Sequence, residues 1–231
     1  MVTGLLVFAR CAGFVFRAPG FSHPSVPPPL RAGLALALAV AIAPTLSRAR
    51  LAGDLAIGLA LVTEFLIGSA IGMTASLVYD GAYAGGRVVD DYVGVKAIAP
   101  SLQLVAPSGF GRVWSLAFTG GFFLWGAYRP ALLAFAQSFH RLAPGSPPNP
   151  SGWLAFAGAF AQTIVAVALD VGAPAVAMAF VVQIALGALS RVVPRFGSFT
   201  LAFPLAFAAA LVATVITAPL VSEPAPILSI P

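Results

Sequence analysis

The chain has 231 residues, of which only 8% are charged and 60% are apolar. A soluble domain usually carries about 25% charged residues, so this chain has too few charges to cover a water-exposed surface. The composition therefore excludes an ordinary soluble protein and predicts a membrane protein.

The net charge of +5 raises the question of a nucleic-acid partner. The arginines stand singly or in pairs at the ends of apolar runs, as at Arg48 and Arg50, which is typical of side chains that anchor helices at a membrane interface. No run of basic residues forms a nucleic-acid-binding tail. We therefore expect a lipid membrane as the surroundings and no nucleic-acid partner.

Six apolar stretches follow one another and predict about six helical segments. They are residues 2–16, 32–46, 55–79, 110–138, 153–189 and 196–221. Alanine and leucine dominate them without strand-like alternation, so the predicted fold is an all-α, polytopic membrane protein. Proline-rich segments and residues 80–112 are predicted to connect the stretches, and no separate soluble domain is visible. We expect the whole chain, 1–231, to form a single membrane domain and its N-terminus to remain in the mature protein.

The lengths of these stretches fit simple spanning helices badly. A spanning helix needs about 20 apolar residues, whereas the first two stretches have 15 residues each and the fifth has 37. These lengths predict tilted, broken or stacked helices. Pro174 is expected to produce a kink or a helical hairpin in the fifth stretch, and Pro204 to act similarly in the sixth.

The third stretch carries a periodic stripe within "TEFLIGSAIGMTASLVYDGAYAGG". Counting in fours from its first acid gives Glu64, Gly68, Gly72, Ser76 and Asp80. Residues four apart lie on one face of a helix. A face that is small in the middle and acidic at its ends predicts close packing against another helix or subunit. The alternative interpretation is a general enrichment of alanine and glycine.

Two acids lie inside apolar stretches, Glu64 and Asp170. An acid within a membrane is a functional candidate, and proton or ion coupling is one interpretation. The preferred interpretation is structural, with a hydrogen bond or ion pair to a neighbouring helix or subunit. An ion-coupled small-solute permease remains the alternative function.

Catalytic and metal-binding signatures are missing from the sequence. It contains no HExxH, GxSxG or phosphate-loop motif, so we expect no enzyme and no cofactor. Asp90 and Asp91 stand beside Arg87 and could contribute to a metal site, but a solvated loop or helix end is the preferred interpretation. Cys11 is the only cysteine, and we expect no metal site.

Five stretches in order resemble the FliR/SctT family, the export-gate proteins of flagella and of type III secretion injectisomes. They are "FARCAGFVFRAPGFSHPSVPPPLRAGLALALAVAIAP", "EFLIGSAIGM", "YAGGRVVDDYVGV", "LLAFAQSFHRLAPG" and "IALGALSRVVP". The residues that match the family's motifs, besides the stripe, are Arg10, Pro29, Arg31, Pro44, Gly94, Ser138, Pro144, Arg191 and Pro194. The chain departs from the family pattern at Arg129, at Gln183 and after Pro194.

The resemblance implies a subunit that joins FliP-like and FliQ-like proteins in a helical pore for unfolded substrates. This assembly docks on FlhB-like and FlhA-like components in the bacterial inner membrane, and its helices rise partly out of the bilayer plane. The "SFHRLAPG" turn favours a flagellum slightly over an injectisome. By position, residues 96–112 correspond to a pore-plugging loop, which would include Pro100, Pro107, Gly109 and Gly111.

Overall fold

The computed structural model describes residues 2–22, 26–47, 53–94, 109–147, 149–193 and 199–221, with side chains in the last range from 202 to 216. These residues form seven α-helices and no strand, which confirms the all-α prediction. The helices are α1 (Val2–Arg17), α2 (Pro28–Ile42), α3 (Asp54–Val93), α4 (Phe110–Leu124), α5 (Tyr128–Arg141), α6 (Pro150–Ser190) and α7 (Phe199–Val221). A short 3₁₀ helix (Ala43–Thr45) follows α2.

Three described helical segments are long and apolar enough to cross a membrane: Pro28–Thr45, Asp54–Val93 and Pro150–Ser190. A shorter apolar segment, Ala202–Ile216, lies within α7. At about 1.5 Å per residue, α3 and α6 are each roughly 60 Å long, about twice the thickness of a hydrocarbon core. These helices bear out the prediction of a polytopic membrane protein with spans of unusual length.

The third apolar stretch continues well beyond its predicted end at residue 79. Helix α3 extends to Val93, so the predicted connection over residues 80–112 is wrong for its first part. Glycines in this part let a second helix approach, because a Cβ at Gly81 would lie 2.7 Å from the Val167 Cβ on α6. Gly94 then ends the helix with a φ of 85°, a conformation that glycine adopts without steric cost.

The fourth apolar stretch contains two helices instead of one. A turn at residues 125–127 separates α4 from α5, and Gly126 in this turn has a φ of 74°. A residue with a side chain adopts this left-handed conformation less readily, so the glycine favours a break. The described residues therefore form seven α-helices, one more than the about six segments predicted.

The fifth stretch forms one continuous helix. Pro174 lies inside α6, which runs unbroken from Pro150 to Ser190, so the predicted hairpin is wrong. A proline removes one backbone donor from the helix, but long apolar helices in membranes tolerate this loss when neighbouring groups compensate for it. Pro204 likewise lies within α7.

The described residues cluster into two compact units, with residues 2–77 and 119–160 in the first and residues 78–118 and 161–221 in the second. The core of the first unit combines side chains from α1, α2, α3 and α5. At its centre Phe14 and Phe135 stack with their ring centroids 4.4 Å apart. The core of the second unit is built mainly from small side chains of α6 and α7, namely Ala175, Ala179, Ala206, Ala210 and Ala213. The prediction of a single domain over 1–231 stays a prediction.

Candidate functional site

The first unit brings α1 against the glycine stripe of α3. A Cβ on Gly68 would overlap the carbonyl oxygen of Arg10, and one on Gly72 would lie 2.7 Å from the carbonyl oxygen of Phe14. The contact is reciprocal, because a Cβ on Gly13 of α1 would overlap the carbonyl oxygen of Phe65. Glycines on both helices therefore allow backbone-to-backbone packing, as at GxxxG-type contacts.

This close packing encloses an ion pair between Arg10 and Glu64. The Arg10 Nε donates to Glu64 Oε2 at 2.5 Å, and neither side chain is exposed to solvent. Two fully buried opposite charges satisfy each other here, since a buried charge is retained only when it is paired and hydrogen-bonded.

The remaining nitrogens of Arg10 reach the end of α5. The Nη1 atom donates to the Ser138 carbonyl oxygen at 3.1 Å and to the Ser138 Oγ at 3.3 Å, and Nη2 donates to the Leu142 carbonyl oxygen at 3.0 Å. The guanidinium carbon also lies 4.3 Å from the centre of the Phe139 ring. A planar guanidinium with donors on three nitrogens can join all these acceptors, which a lysine cannot do.

The turn after α5 holds the second oxygen of Glu64. The backbone N–H of Gly145 donates to Glu64 Oε1 at 2.8 Å, and Gly145 has a φ of 86°. Pro144 comes directly before it and lies in the same turn. Both carboxylate oxygens are therefore bound, one by α1 and one by the turn that follows α5.

Three sequence stretches that carry the family resemblance thus meet at one place. They are the Arg10 stretch, the Glu64 stripe and the "SFHRLAPG" turn, which are far apart in the sequence. We call this set of contacts the Arg10–Glu64 cluster: Arg10, Glu64, Ser138, Leu142 and Gly145. Both carboxylate oxygens of Glu64 and all three guanidinium nitrogens of Arg10 are hydrogen-bonded within the protein. This geometry suits a structural role, in which the ion pair holds three segments together.

Replacing Gly145 with alanine is expected to destabilise the protein by about 1–2 kcal/mol, because its left-handed backbone conformation is unfavourable for a residue with a Cβ. The thermal midpoint in mild detergent, followed by tryptophan fluorescence, measures this effect. Gly33→Ala on α2 is the matched control, since a Cβ there meets nothing within 4 Å. Gly33→Ala should keep or slightly raise the midpoint, since alanine favours a helix over glycine. A Gly145→Ala midpoint at or above that of the wild type would contradict the role of this turn.

The last two residues of the predicted stripe, Ser76 and Asp80, are not part of the contact between α1 and α3 described above. Ser76 is buried, and its Oγ donates to the carbonyl oxygen of Met73 in its own helix at 3.1 Å. Asp80 lies on α3 and is half-buried. The packing role proposed for these two residues stays a prediction.

The other residues of the family resemblance lie mostly at helix ends. Pro29 and Arg31 occupy the first turn of α2, where proline is well suited because its missing N–H would have no helical partner. Pro44 lies in the 3₁₀ helix. Gly94 ends α3, and Arg191 follows α6 and is exposed, whereas Pro194 lies outside the described residues.

The predicted plug loop is only partly described. Pro100 and Pro107 lie outside the described residues, and Gly109 directly precedes α4. Gly111 lies inside α4, so its assignment to a loop is wrong. The role of residues 96–112 as a plug stays a prediction.

Asp90 explains why α4 begins where it does. Its carboxylate accepts the backbone N–H of Phe110 at 2.9 Å and that of Gly111 at 3.4 Å, and only 1% of the residue is exposed. The first N–H groups of a helix have no partner within it, and a carboxylate satisfies them well. Asp90 therefore lies at a helix end, as one of the preferred interpretations has it, but it is buried and not solvated.

Removing this cap should loosen the start of α4. We expect Asp90→Ala to cost about 1–2 kcal/mol, as for other lost N-terminal caps, and to speed hydrogen exchange at the amides of Phe110 and Gly111. Asp91→Ala, at the exposed neighbouring position, serves as the control. Equal exchange at these amides in the two variants would contradict the capping role.

Asp170, the other acid within an apolar stretch, is exposed on α6. It belongs to the second unit, whereas Glu64 belongs to the first. Among the described residues, no group of three or more His, Cys, Asp or Glu side chains is placed to hold a metal ion.

Sequence reasoning did not single out Gly13 or Gly145, nor did it pair Arg10 with Glu64. The signal for Gly13 is its position as a glycine in the middle of an apolar helix, three residues after Arg10. The signal for Gly145 is the Pro-Gly pair that follows the end of α5. The carbonyl oxygens of Ser138 and Leu142 leave no signal, because every residue has one.

Comparison with known proteins places the chain among bacterial export components. The family model described as "Bacterial export proteins, family 1" matches residues 1–226. The flagellar biosynthetic protein FliR of Escherichia coli (strain K12) is 27% identical over 206 residues, which cover 85% of this chain and 76% of that protein. FliR of Bacillus subtilis (strain 168) is 27% identical over 92% of this chain and 84% of that protein. FliR of Aquifex aeolicus (strain VF5) is 24% identical over 96% of this chain and 87% of that protein. Because the family model spans nearly the whole sequence, the resemblance to FliR/SctT proteins is confirmed and the chain belongs to the bacterial export proteins, family 1.

Proposed function

We propose that the chain is an integral membrane subunit of a bacterial flagellar or type III protein export gate, where it helps form the channel for unfolded secreted substrates. The observation that carries this proposal is the family match over residues 1–226. The long apolar helices support the proposal that the chain lies in a membrane.

The partners that we propose are FliP-like and FliQ-like subunits within the pore complex, with FlhB-like and FlhA-like components docked on it. Support comes from the FliR relatives, which are named as flagellar biosynthetic proteins. Further support comes from large apolar side chains that the isolated chain leaves exposed on α6, including Val165, Leu169 and Phe180. Exposed apolar side chains on a membrane helix are available to neighbouring subunits as well as to lipid.

We propose a packing role for the Arg10–Glu64 cluster and for Gly68 and Gly72. The cluster ties α1, α3 and the turn after α5 together, so it would give the first unit a fixed shape that partner subunits can recognise. The permease alternative is not favoured, because the family match over residues 1–226 supports an export component. In addition, Glu64, one of its two candidate coupling acids, has both carboxylate oxygens bound within the protein.

The location that we propose is the bacterial inner membrane, crossed several times, at the base of a flagellum. The flagellum is preferred to an injectisome because the FliR relatives are flagellar proteins. The work proposed for the chain is the completion of a channel, without a catalytic step and without a cofactor.

A deletion strain tests the proposal. We expect loss of the gene to abolish both secretion of flagellar filament protein and swimming, and a plasmid copy of the wild-type gene to restore both. Purified chain alone in proteoliposomes should transport no small solute. Normal secretion in the deletion strain, or solute transport by the chain alone, would contradict the proposal, and the second result would support a permease.

A further inference from the structure

The middle of α6 carries an exposed carboxylate, that of Asp170. Asp170 is exposed and makes no hydrogen bond or ion pair with any residue in the described part of the chain. It lies 20 residues from Pro150 and 20 from Ser190, at the centre of the helix. A membrane span of about 20 residues placed anywhere in α6, except at its two extreme ends, includes Asp170.

An ionised carboxylate does not remain in hydrocarbon without compensation. Acids in membrane segments face the interior of a bundle or a water-filled cavity, or they pair with another group. The described part of the isolated chain offers Asp170 no such group. The compensating group must therefore come from outside it, either from water in a lumen or from a partner.

The surroundings of Asp170 favour a partner helix over a lumen. Ala166, Ala173 and Ala177 are exposed and lie at helical spacing from Asp170 on one face. Small residues on both sides of a polar group allow another helix to approach closely. Beside this face runs a shallow groove lined by Ala161, Gln162, Val165, Ala166 and Leu169, with an almost wholly apolar surface.

The chain itself contains an example of such a contact. Glu64 stands at the end of the small Gly68–Gly72 stripe, and the helix that packs there supplies an arginine to the acid. Asp170 has the same combination of an acid and small neighbours on an apolar helix, but within the described residues it is exposed and no arginine pairs with it. An arginine or lysine on an approaching helix would form the corresponding ion pair with Asp170.

We infer that the face of α6 formed by Ala166, Asp170, Ala173 and Ala177 docks a helix of another export-gate subunit that places an arginine or lysine opposite Asp170. We call it the Asp170 face. This inference rests on the proposed function, because it names the chemistry of a partner within the same assembly.

Variants of Asp170 in the co-expressed complex test the inference. The chain is produced with tagged FliP-like and FliQ-like subunits from the same genome, and the amount that co-purifies in mild detergent is measured. We expect Asp170→Asn and Asp170→Lys to lower this amount at least about tenfold, and Asp170→Glu to retain most of it. Asp54→Asn is the matched control, because it removes an exposed carboxylate from the first turn of α3.

Two further measurements separate docking from folding. The thermal midpoint of the isolated Asp170→Asn chain should equal that of the wild type, since this exposed side chain makes no hydrogen bond or ion pair within the described protein. In a charge exchange, Asp170→Lys is combined with one Arg→Asp or Lys→Asp substitution at a time on the apolar helices of the partners. We expect one of these pairs to restore co-purification. Failure of every exchange to restore it would overturn the inference.

The outcomes distinguish the inference from the proposed function. Co-purification of Asp170→Asn and Asp170→Lys at the wild-type level would overturn the docking of this face and would leave the export-gate function standing. Wild-type chain that associates with neither subunit would overturn both.

Discussion

Substituting Gly68 with leucine is expected to separate α1 from α3 and to abolish assembly of the export gate. Any Cβ at this position would overlap the backbone carbonyl of Arg10, and a backbone cannot move aside as a flexible side chain can. Overfilling a packed core usually costs about 1–3 kcal/mol, and we expect more than about 3 kcal/mol here because α1 must shift as a whole. The thermal midpoint in detergent and the amount of chain recovered with its partner subunits measure the two effects.

Gly58→Leu is the matched control on the same helix. A Cβ at Gly58 meets nothing within 4 Å, so leucine there should leave packing intact and slightly favour the helix. Gly72→Leu should resemble Gly68→Leu, since a Cβ at Gly72 would lie 2.7 Å from the carbonyl oxygen of Phe14. Wild-type stability and secretion in both Gly68→Leu and Gly72→Leu would refute the packing role of the stripe.

Removing one member of the Arg10–Glu64 ion pair should lower the free energy of unfolding nearly as much as Gly68→Leu does. Removing one member of a buried pair costs about 3–5 kcal/mol, because the other charge remains buried without its partner. Arg10→Leu also leaves the carbonyl oxygen of Leu142 without the Arg10 donor, whereas that of Ser138 still accepts the backbone N–H of Leu142. Arg10→Lys should rescue little, since an ammonium group cannot reach the same set of acceptors.

A double-mutant cycle with Arg10→Leu and Glu64→Leu measures the coupling between the two side chains. The double variant should lose less free energy of unfolding than the sum of the two single losses, because it buries no lone charge. We expect a coupling energy of about 2–3 kcal/mol. The double variant should still be less stable than the wild type, since the Gly145 N–H also loses its acceptor. Strict additivity of the two single effects would show that the pair does not act as a unit. Asp54→Leu, which removes an exposed acid from the first turn of α3, should cost no more than about 1 kcal/mol.

The membrane class, the helical fold and the small face of α3 could be predicted from the sequence because they depend on composition and on local spacing. Glu64, Gly68 and Gly72 lie on one face of any helix that contains them. Their partner could not be predicted in this way, since Arg10 is 54 residues from Glu64 and Ser138 is 128 residues from Arg10. Such pairings depend on how the helices pack, which periodicity does not specify.

The errors in the helix boundaries have a related cause. Gly81 and Gly85 favour a loop by local propensity, yet α3 continues through them because both pack against α6. Asp90 could not be recognised as a cap from its neighbours, since the helix that it caps begins 20 residues later. Pro174 lies within a long apolar helix, where the setting tolerates a lost hydrogen bond that a short soluble helix would not.

The most direct test of the export-gate assignment is a native mass spectrum of the chain co-expressed with FliP-like and FliQ-like proteins from its own genome and purified in mild detergent. We expect a discrete mixed complex with a fixed number of copies of each subunit, including this chain. A stable monomer or homodimer that ignores both partners would contradict it.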